Sequence, residues 1–135
     1  MQILGIDYGR KRLGMALCGE LKIATPLDTL ERTNTEKDFE KIKNVIEEHE
    51  IEKIVVGFPK NMDNSLGEMA KEAQSFSDIL KNRFSIPTVL WDERLTSAQA
   101  ERIMIDAGFS RNKRKKNSDS IAAVLMLQNY SDRNR

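Results

Sequence analysis

The chain holds one cysteine and one histidine in 135 residues. A lone Cys18 excludes an internal disulfide and any cysteine-based metal cage. It reads as a small buried apolar residue of a strand. A lone His49, set in an acidic stretch, rules out a Ser-His-Asp triad with a second histidine in reserve, and reads as a surface or half-buried side chain. Long apolar runs are missing as well. The longest is "IAAVLML", Ile121 to Leu127, far short of a membrane span. No basic segment and apolar signal core open the chain, so the cytoplasm is the expected compartment and no membrane partner is expected. Gly5, Gly9 and Gly14 fit neither G-x-G-x-x-G nor G-x-x-x-x-G-K-[ST], so both standard nucleotide loops are absent.

What remains is a sequence sized for a single domain spanning 1–135, with 39% hydrophobic and 32% charged residues. Its net charge of +1 conceals an asymmetry. Asp38, Glu40, Glu47, Glu48 and Glu50 make one stretch acidic, whereas "RNKRKK" places Arg111, Lys113, Arg114, Lys115 and Lys116 within six positions. Such a block is either a solvated loop or a contact for polyanions.

Hydrophobic periodicity predicts a first strand over Gln2–Tyr8 and a second over Leu13–Cys18, joined as a hairpin by "GRKR". A third strand over Lys22–Leu30 carries Pro26, which suggests an edge position. Phe39, Ile42, Ile46 and His49 recur at helical spacing within Thr35–Glu50, and "KIVVGFP" follows as a strand. Leu66 to Phe84 reads as a second amphipathic helix and "IPTVLW" as a fifth strand ending in "DER". Thr96 and Ser97 would cap a helix stopping at Gly108. A final helix is expected from Asp119 to about Tyr130, capped by "NSDS" after a basic loop. The order β-β-β-α-β-α-β-α-α implies an α/β fold with a mixed sheet and helices on its faces.

Three acids draw attention by position. Asp7 ends the first strand, on the same strand face as Ile3 and Gly5. A carboxylate there either caps the following turn or serves a ligand, and position alone does not decide. Asp92 and Glu93 stand with Arg94 where a strand leaves the sheet, a usual place for ligand contacts in α/β folds, although a surface ion pair explains the triplet too. Asp119, expected in the first turn of the last helix, is explained by the helix dipole without any function. Together the three suggest more. Carboxylates converging to about 5 Å would repel by about 3 kcal/mol per pair at an effective dielectric near 20. Magnesium suits such a space, with sites left for phosphate oxygens and water, and two such ions would serve phosphodiester hydrolysis. The basic block would then hold the nucleic-acid backbone. An acid–glycine turn after a first strand also occurs in actin-like kinases, but those enzymes close two lobes over ATP and this chain has room for one.

"LGIDYGRKRLGMAL", "VVGFPKNMDN", "LWDERLTSAQAE" and "RKKNSDSIAAVLMLQ" together resemble the YqgF (RuvX) family, in order and across nearly the whole chain. The resemblance implies an RNase H-like fold, a mixed five-stranded sheet with the first strand central and acids gathered at one edge. It implies a nuclease processing the 5′ end of pre-16S rRNA, or alternatively a Holliday-junction resolvase acting on four-way DNA junctions, which would need a dimer. A nucleic-acid-binding module with a weak or vestigial site is the reading from another class. Carried onto this sequence, the metal-holding acids for Mg2+ or Mn2+ are Asp7, Glu93 and Asp119, with Asp92 as substitute for Glu93. Lys60 and Arg94 become phosphate contacts or transition-state stabilisers, and Asn61 orients substrate or supports the site. No acid ends the "KIVVGF" strand, so the second ligand must come from its neighbour. Asn64 departs from the glycine that the family often has after "NMD". Structured RNA or a DNA junction is the expected partner, and the chain a monomer or homodimer.

Overall fold

A computed structural model of the chain describes residues 1–59, 67–93 and 111–133, with the backbone alone described at 58–59, 92–93 and 111–120. The strands are β1 (Ile3–Asp7), β2 (Arg12–Cys18), β3 (Ala24–Glu31), β4 (Lys53–Pro59) and β5 (Thr88–Glu93). The described helices are α1 (Thr35–His49), α2 (Glu68–Phe84) and α3 (Arg111–Arg133). The strands form one mixed sheet in the order β3-β2-β1-β4-β5, with β1 central. β1 pairs antiparallel with β2 and parallel with β4, and β4 pairs parallel with β5.

Local chemistry explains most boundaries. Asn34 caps α1 by accepting from the Lys37 backbone N–H at 3.0 Å, and Glu50 closes it in the left-handed conformation. β3 begins at Ala24 rather than Lys22, because Lys22 has φ 61° and donates its N–H to Gly19 in a turn. Pro26 does lie on an edge strand, where its missing N–H costs no ladder bond. β5 starts only after Pro87 and runs on through Asp92 and Glu93, so these acids belong to the strand itself. The helix expected between Thr96 and Gly108 lies outside the described residues.

The end of the chain differs from the sequence expectation. The block Arg111–Lys116 is the start of α3, not a loop, and Asp119 is therefore the ninth residue of a helix rather than part of its first turn. Arg and Lys are good helix formers, so the cationic run extends the helix upstream of the apparent cap "NSDS".

The two faces of the sheet are unlike. On one, Leu4, Ile6, Leu13, Met15, Ile54 and Val56 pack against Phe39 and Ile42 of α1 and Phe76 and Leu80 of α2. Each fully buried side chain of this kind contributes roughly 1.5–3 kcal/mol. The other face is built from small residues, Gly5, Ala16, Cys18, Ala24 and Val55, covered by Ala123, Met126, Leu127 and Tyr130 of α3. Cys18 is buried there as the sequence suggested. A Cβ on Gly5 would sit 3.0 Å from both Cβ and Cδ2 of Leu127, so α3 rests on bare backbone at the middle of β1.

Gly5→Val should therefore lower stability by about 1–3 kcal/mol through overpacking, read as a lower urea midpoint at unchanged slope. A variant as stable as the parent would contradict this close approach.

Candidate active site

Asp7 is the last residue of the central strand, and its lateral neighbours in register are Gly14 on β2 and Gly57 on β4. Registered residues share a sheet face. The carboxylate thus leaves a strand between two positions that carry no side chain, on the face that α3 covers. Gly57 in turn registers with Trp91 on β5, and Pro59 with Glu93. Glu93 consequently belongs to the same face as Asp7, two strand spacings away, or roughly 10 Å laterally. Asp92 registers with Phe58 and falls on the opposite face with Leu90, which packs in the α1/α2 core.

α3 runs against the direction of β1. Near its C-terminal end Gln128 Oε1 accepts from the Ala24 N–H at 2.8 Å, and Lys53 Nζ stands 5.0 Å from the Tyr130 ring centroid. Lys53 registers with Ile3 at the start of β1, and Leu127 lies over Gly5. Moving back along the helix therefore leads toward Asp7. Asp119 precedes Leu127 by eight residues, about 12 Å of axis, while Asp7 lies two residues or ~6.6 Å beyond Gly5. Asp119 also stands four residues before Ala123 and seven before Met126, positions on the buried stripe. Helical spacing thus places Asp119 on the stripe that faces the sheet, at the end where β1 stops.

Three positions are brought to one sheet face and one end in this way: Asp7, Glu93 and Asp119. Among the described residues no three His, Cys, Asp or Glu side chains form a metal cluster, and the side chains of Asp92, Glu93 and Asp119 are not among them. Lys60, Asn61 and Arg94 lie outside the described residues. Trp91 stands edge-on to Tyr130, with centroids 5.2 Å apart and planes at 87°, packed against α3. That is a core role rather than a base-stacking platform.

Sequence reasoning missed what holds the turn after Asp7. Arg32, just beyond β3, donates from Nη1 to the Gly9 carbonyl at 3.0 Å and to the Tyr8 hydroxyl at 3.2 Å. Its own backbone N–H donates to the Lys11 carbonyl at 2.9 Å. The buried carboxylate of Asp38 accepts from Arg32 Nε at 3.4 Å and from the Thr33 N–H at 3.0 Å. Across the turn Glu72 of α2 accepts from Tyr8 at 3.3 Å and from Arg10 Nη2 at 2.7 Å. The hydrogen bond from Arg10 holds the Glu72 carboxyl below its ordinary pKa. Apart from the contacts with Asp38, these partners are more than twenty and up to 64 residues apart in sequence, so no local pattern announced them. Gly9 was visible, and its necessity is steric: a Cβ there would collide with the Arg12 carbonyl oxygen.

The architecture is that of known resolvases. The chain superposes on Fowlpox virus resolvase, solved with substrate Holliday junction DNA, with TM-score 0.64 at 12% identity, covering 99% of both chains. It superposes on Thermus thermophilus RuvC in complex with a Holliday junction substrate with TM-score 0.58 at 14% identity, over 99% of this chain and 95% of the other. These likenesses establish an RNase H-like fold. In sequence the chain is 48% identical to a protein of Thermoanaerobacter pseudethanolicus, over 98% of this chain and 96% of that one. It is 44% identical to one of Halothermothrix orenii, over 96% and 94%. Both carry the name "Putative pre-16S rRNA nuclease". The family model described as "RuvX: Holliday junction resolvase" matches residues 1–133, and the chain belongs to the RuvX family.

Proposed function

We propose that this protein is a metal-dependent nuclease that hydrolyses phosphodiester bonds in structured nucleic acid, with the 5′ end of pre-16S rRNA as its substrate. The observation that carries the reading is the setting of Asp7. It ends the central strand between Gly14 and Gly57, on the face that also receives Glu93 and the stripe of α3 containing Asp119. A turn cap would need no clearing of side chains on both sides and no second acid on the same face two strands away.

The donor set fits a hard cation, since carboxylate oxygens with room for water and phosphate oxygens are what magnesium takes. Asp7, Glu93 and Asp119 would hold one or two Mg2+ or Mn2+ ions, which when bound supply a nucleophile at neutral pH and stabilise the leaving oxygen. The chain's own groups do the rest. Lys60 and Arg94 would offset charge developing on the phosphate, and Asn61 would orient it. Asp92, on the far face, takes no part.

The basic block acquires a new argument from its helical form. Arg111, Lys113, Arg114, Lys115 and Lys116 stand at the N-terminal end of α3, where the helix dipole is already positive. Cations there repel the dipole and one another. An arriving polyanion relieves both repulsions, so the helix start is suited to a nucleic-acid backbone leading towards Asp119. The chain would act as a monomer or homodimer, and no described helix is long and apolar enough to cross a membrane. Resolution of four-way DNA junctions is the second reading, favoured by the description of the matching family. It requires a dimer.

Cleavage assays on precursor rRNA, a four-way DNA junction and plain single strands, with Mg2+ or Mn2+, should show precursor rRNA cut best. Asp7→Asn should lower the rate by at least about a hundredfold. A variant that cuts as well as the parent overturns the proposal. Glu93→Gln should be as damaging as Asp7→Asn, whereas Asp92→Asn should retain most of the activity; the reverse order would place the second ligand at Asp92. Replacing the five cations of the block with glutamine should flatten the plot of log affinity against log salt by roughly 4 to 5 units on duplex. An unchanged slope would remove the block from the interface.

A further inference from the structure

We propose that Arg32 is a positioning residue for the phosphodiester chemistry, holding the turn between β1 and β2, and through it Asp7, in a single geometry. The inference rests on the nuclease reading above and adds to it a residue outside the acids and phosphate contacts. Four consecutive residues follow Asp7, and each is fixed by a named partner. Tyr8 is held through its hydroxyl by Arg32 and Glu72, and its N–H donates to Gly57 at 3.3 Å. Gly9 is held through its carbonyl by Arg32, Arg10 through its guanidinium by Glu72, and Lys11 through its carbonyl by the Arg32 N–H.

Arg32 is the only side chain in this group that spans the turn and reaches a second helix. One guanidinium nitrogen joins the turn, while Nε joins Asp38 in α1, whose side chain is only 3% exposed. The guanidinium carbon lies 5.2 Å from the Tyr8 ring centroid and 5.7 Å from that of Phe76, so the fork packs against both rings. A surface hairpin does not need such restraint to remain folded, because all of β1 already pairs with Gly14–Cys18 of β2. The restraint does matter for a carboxylate that must meet two others from distant elements. Loss of a bond that orients a ligand typically costs 10–100-fold in metal affinity or activity.

The geometry also distinguishes Arg32 from a lysine. A single ammonium can face Asp38 or the turn, but it lacks the planar fork that joins them. Arg32→Lys thus preserves the charge opposite buried Asp38 while breaking the bridge.

The test compares parent, Arg32→Lys, Tyr8→Phe and Glu36→Gln as full-length proteins. Three readouts are needed: steady-state cleavage of precursor rRNA, Mn2+ binding by calorimetry without nucleic acid, and thermal unfolding. Arg32→Lys should lower kcat by about tenfold or more and weaken Mn2+ binding by a similar factor, with KM for RNA within about twofold, at temperatures well below its unfolding midpoint. Tyr8→Phe, which removes only the shared hydroxyl, should show a smaller loss of the same kind and keeps the test available if Arg32→Lys folds poorly. Glu36→Gln, which breaks the pair with Arg83 away from the turn, should change neither kcat nor Mn2+ affinity. If Arg32→Lys and Tyr8→Phe unfold earlier but keep parental kcat and Mn2+ affinity, the bridge is structural only and the proposal is overturned. A parent that binds Mn2+ but cuts no nucleic acid overturns the nuclease reading, and the Mn2+ comparison then decides the positioning role alone. A parent that neither binds nor cuts overturns both.

Discussion

The contact of Leu127 with the bare backbone at Gly5 sets the height of α3 above the sheet, and the proposed site depends on that height. With a Cβ at position 5 the helix would have to lift or shift, since the nearest atoms of Leu127 would already be 3.0 Å away. Ala16, Cys18 and Ala24 continue the same shallow surface towards β3, so the helix beds down across three strands rather than at one point. Backward extension of this seated helix carries Asp119 and the cations beyond the end of β1. The opposite face needs no such approach, and it is filled with leucine, isoleucine and phenylalanine side chains. One face thus contributes hydrophobic stability and the other contributes proximity.

Proximity alone would not make the proposed site, because three carboxylates brought together would resist folding. In that proposal the clearing around Asp7 would offset the electrostatic cost. Gly14 and Gly57 leave lateral space that a cation and its waters would use, and a bulge or irregularity in the β2–β3 pairing falls beside Gly14. Bulges are frequent next to active sites, where they re-aim a strand locally. On the far side, Arg32, Asp38, Tyr8 and Glu72 form a polar network that is bonded throughout. A satisfied network of this kind fixes one arrangement more firmly than apolar packing does.

Much of this was legible in the sequence, for reasons that differ by element. "KIVVGFP" became β4 with the bounds read from it, because an apolar run ended by glycine and proline admits few alternatives. Pro26 reported an edge strand because a missing donor is tolerated only there. The resemblance pointed to Glu93 with Asp92 in reserve, and the register of β5 on β4 puts position 93, not 92, on the Asp7 face, as strand alternation requires once the order is known. The basic block was misread because a run of like charges normally signals a loop, whereas the helix that follows it extends back through residues of high helix propensity. That error also supplied the wrong bland account of Asp119, which lies too deep in the helix to be a cap. Arg32 and Glu72 were invisible for a different reason. Their partners lie on other elements, and an arginine after a strand or a glutamate on an amphipathic helix has no distinctive local pattern.

The central claim is that Asp7, Glu93 and Asp119 hold a divalent cation at the end of the central strand. Crystals of the protein grown with Mn2+ and measured for anomalous scattering test it most directly. A manganese peak is expected within coordination distance of all three carboxylates, in the space flanked by Gly14 and Gly57, and should be lost in Asp7→Asn. A strong peak elsewhere, or no peak there with Asp7 turned instead onto the backbone N–H groups of its own turn, would contradict it.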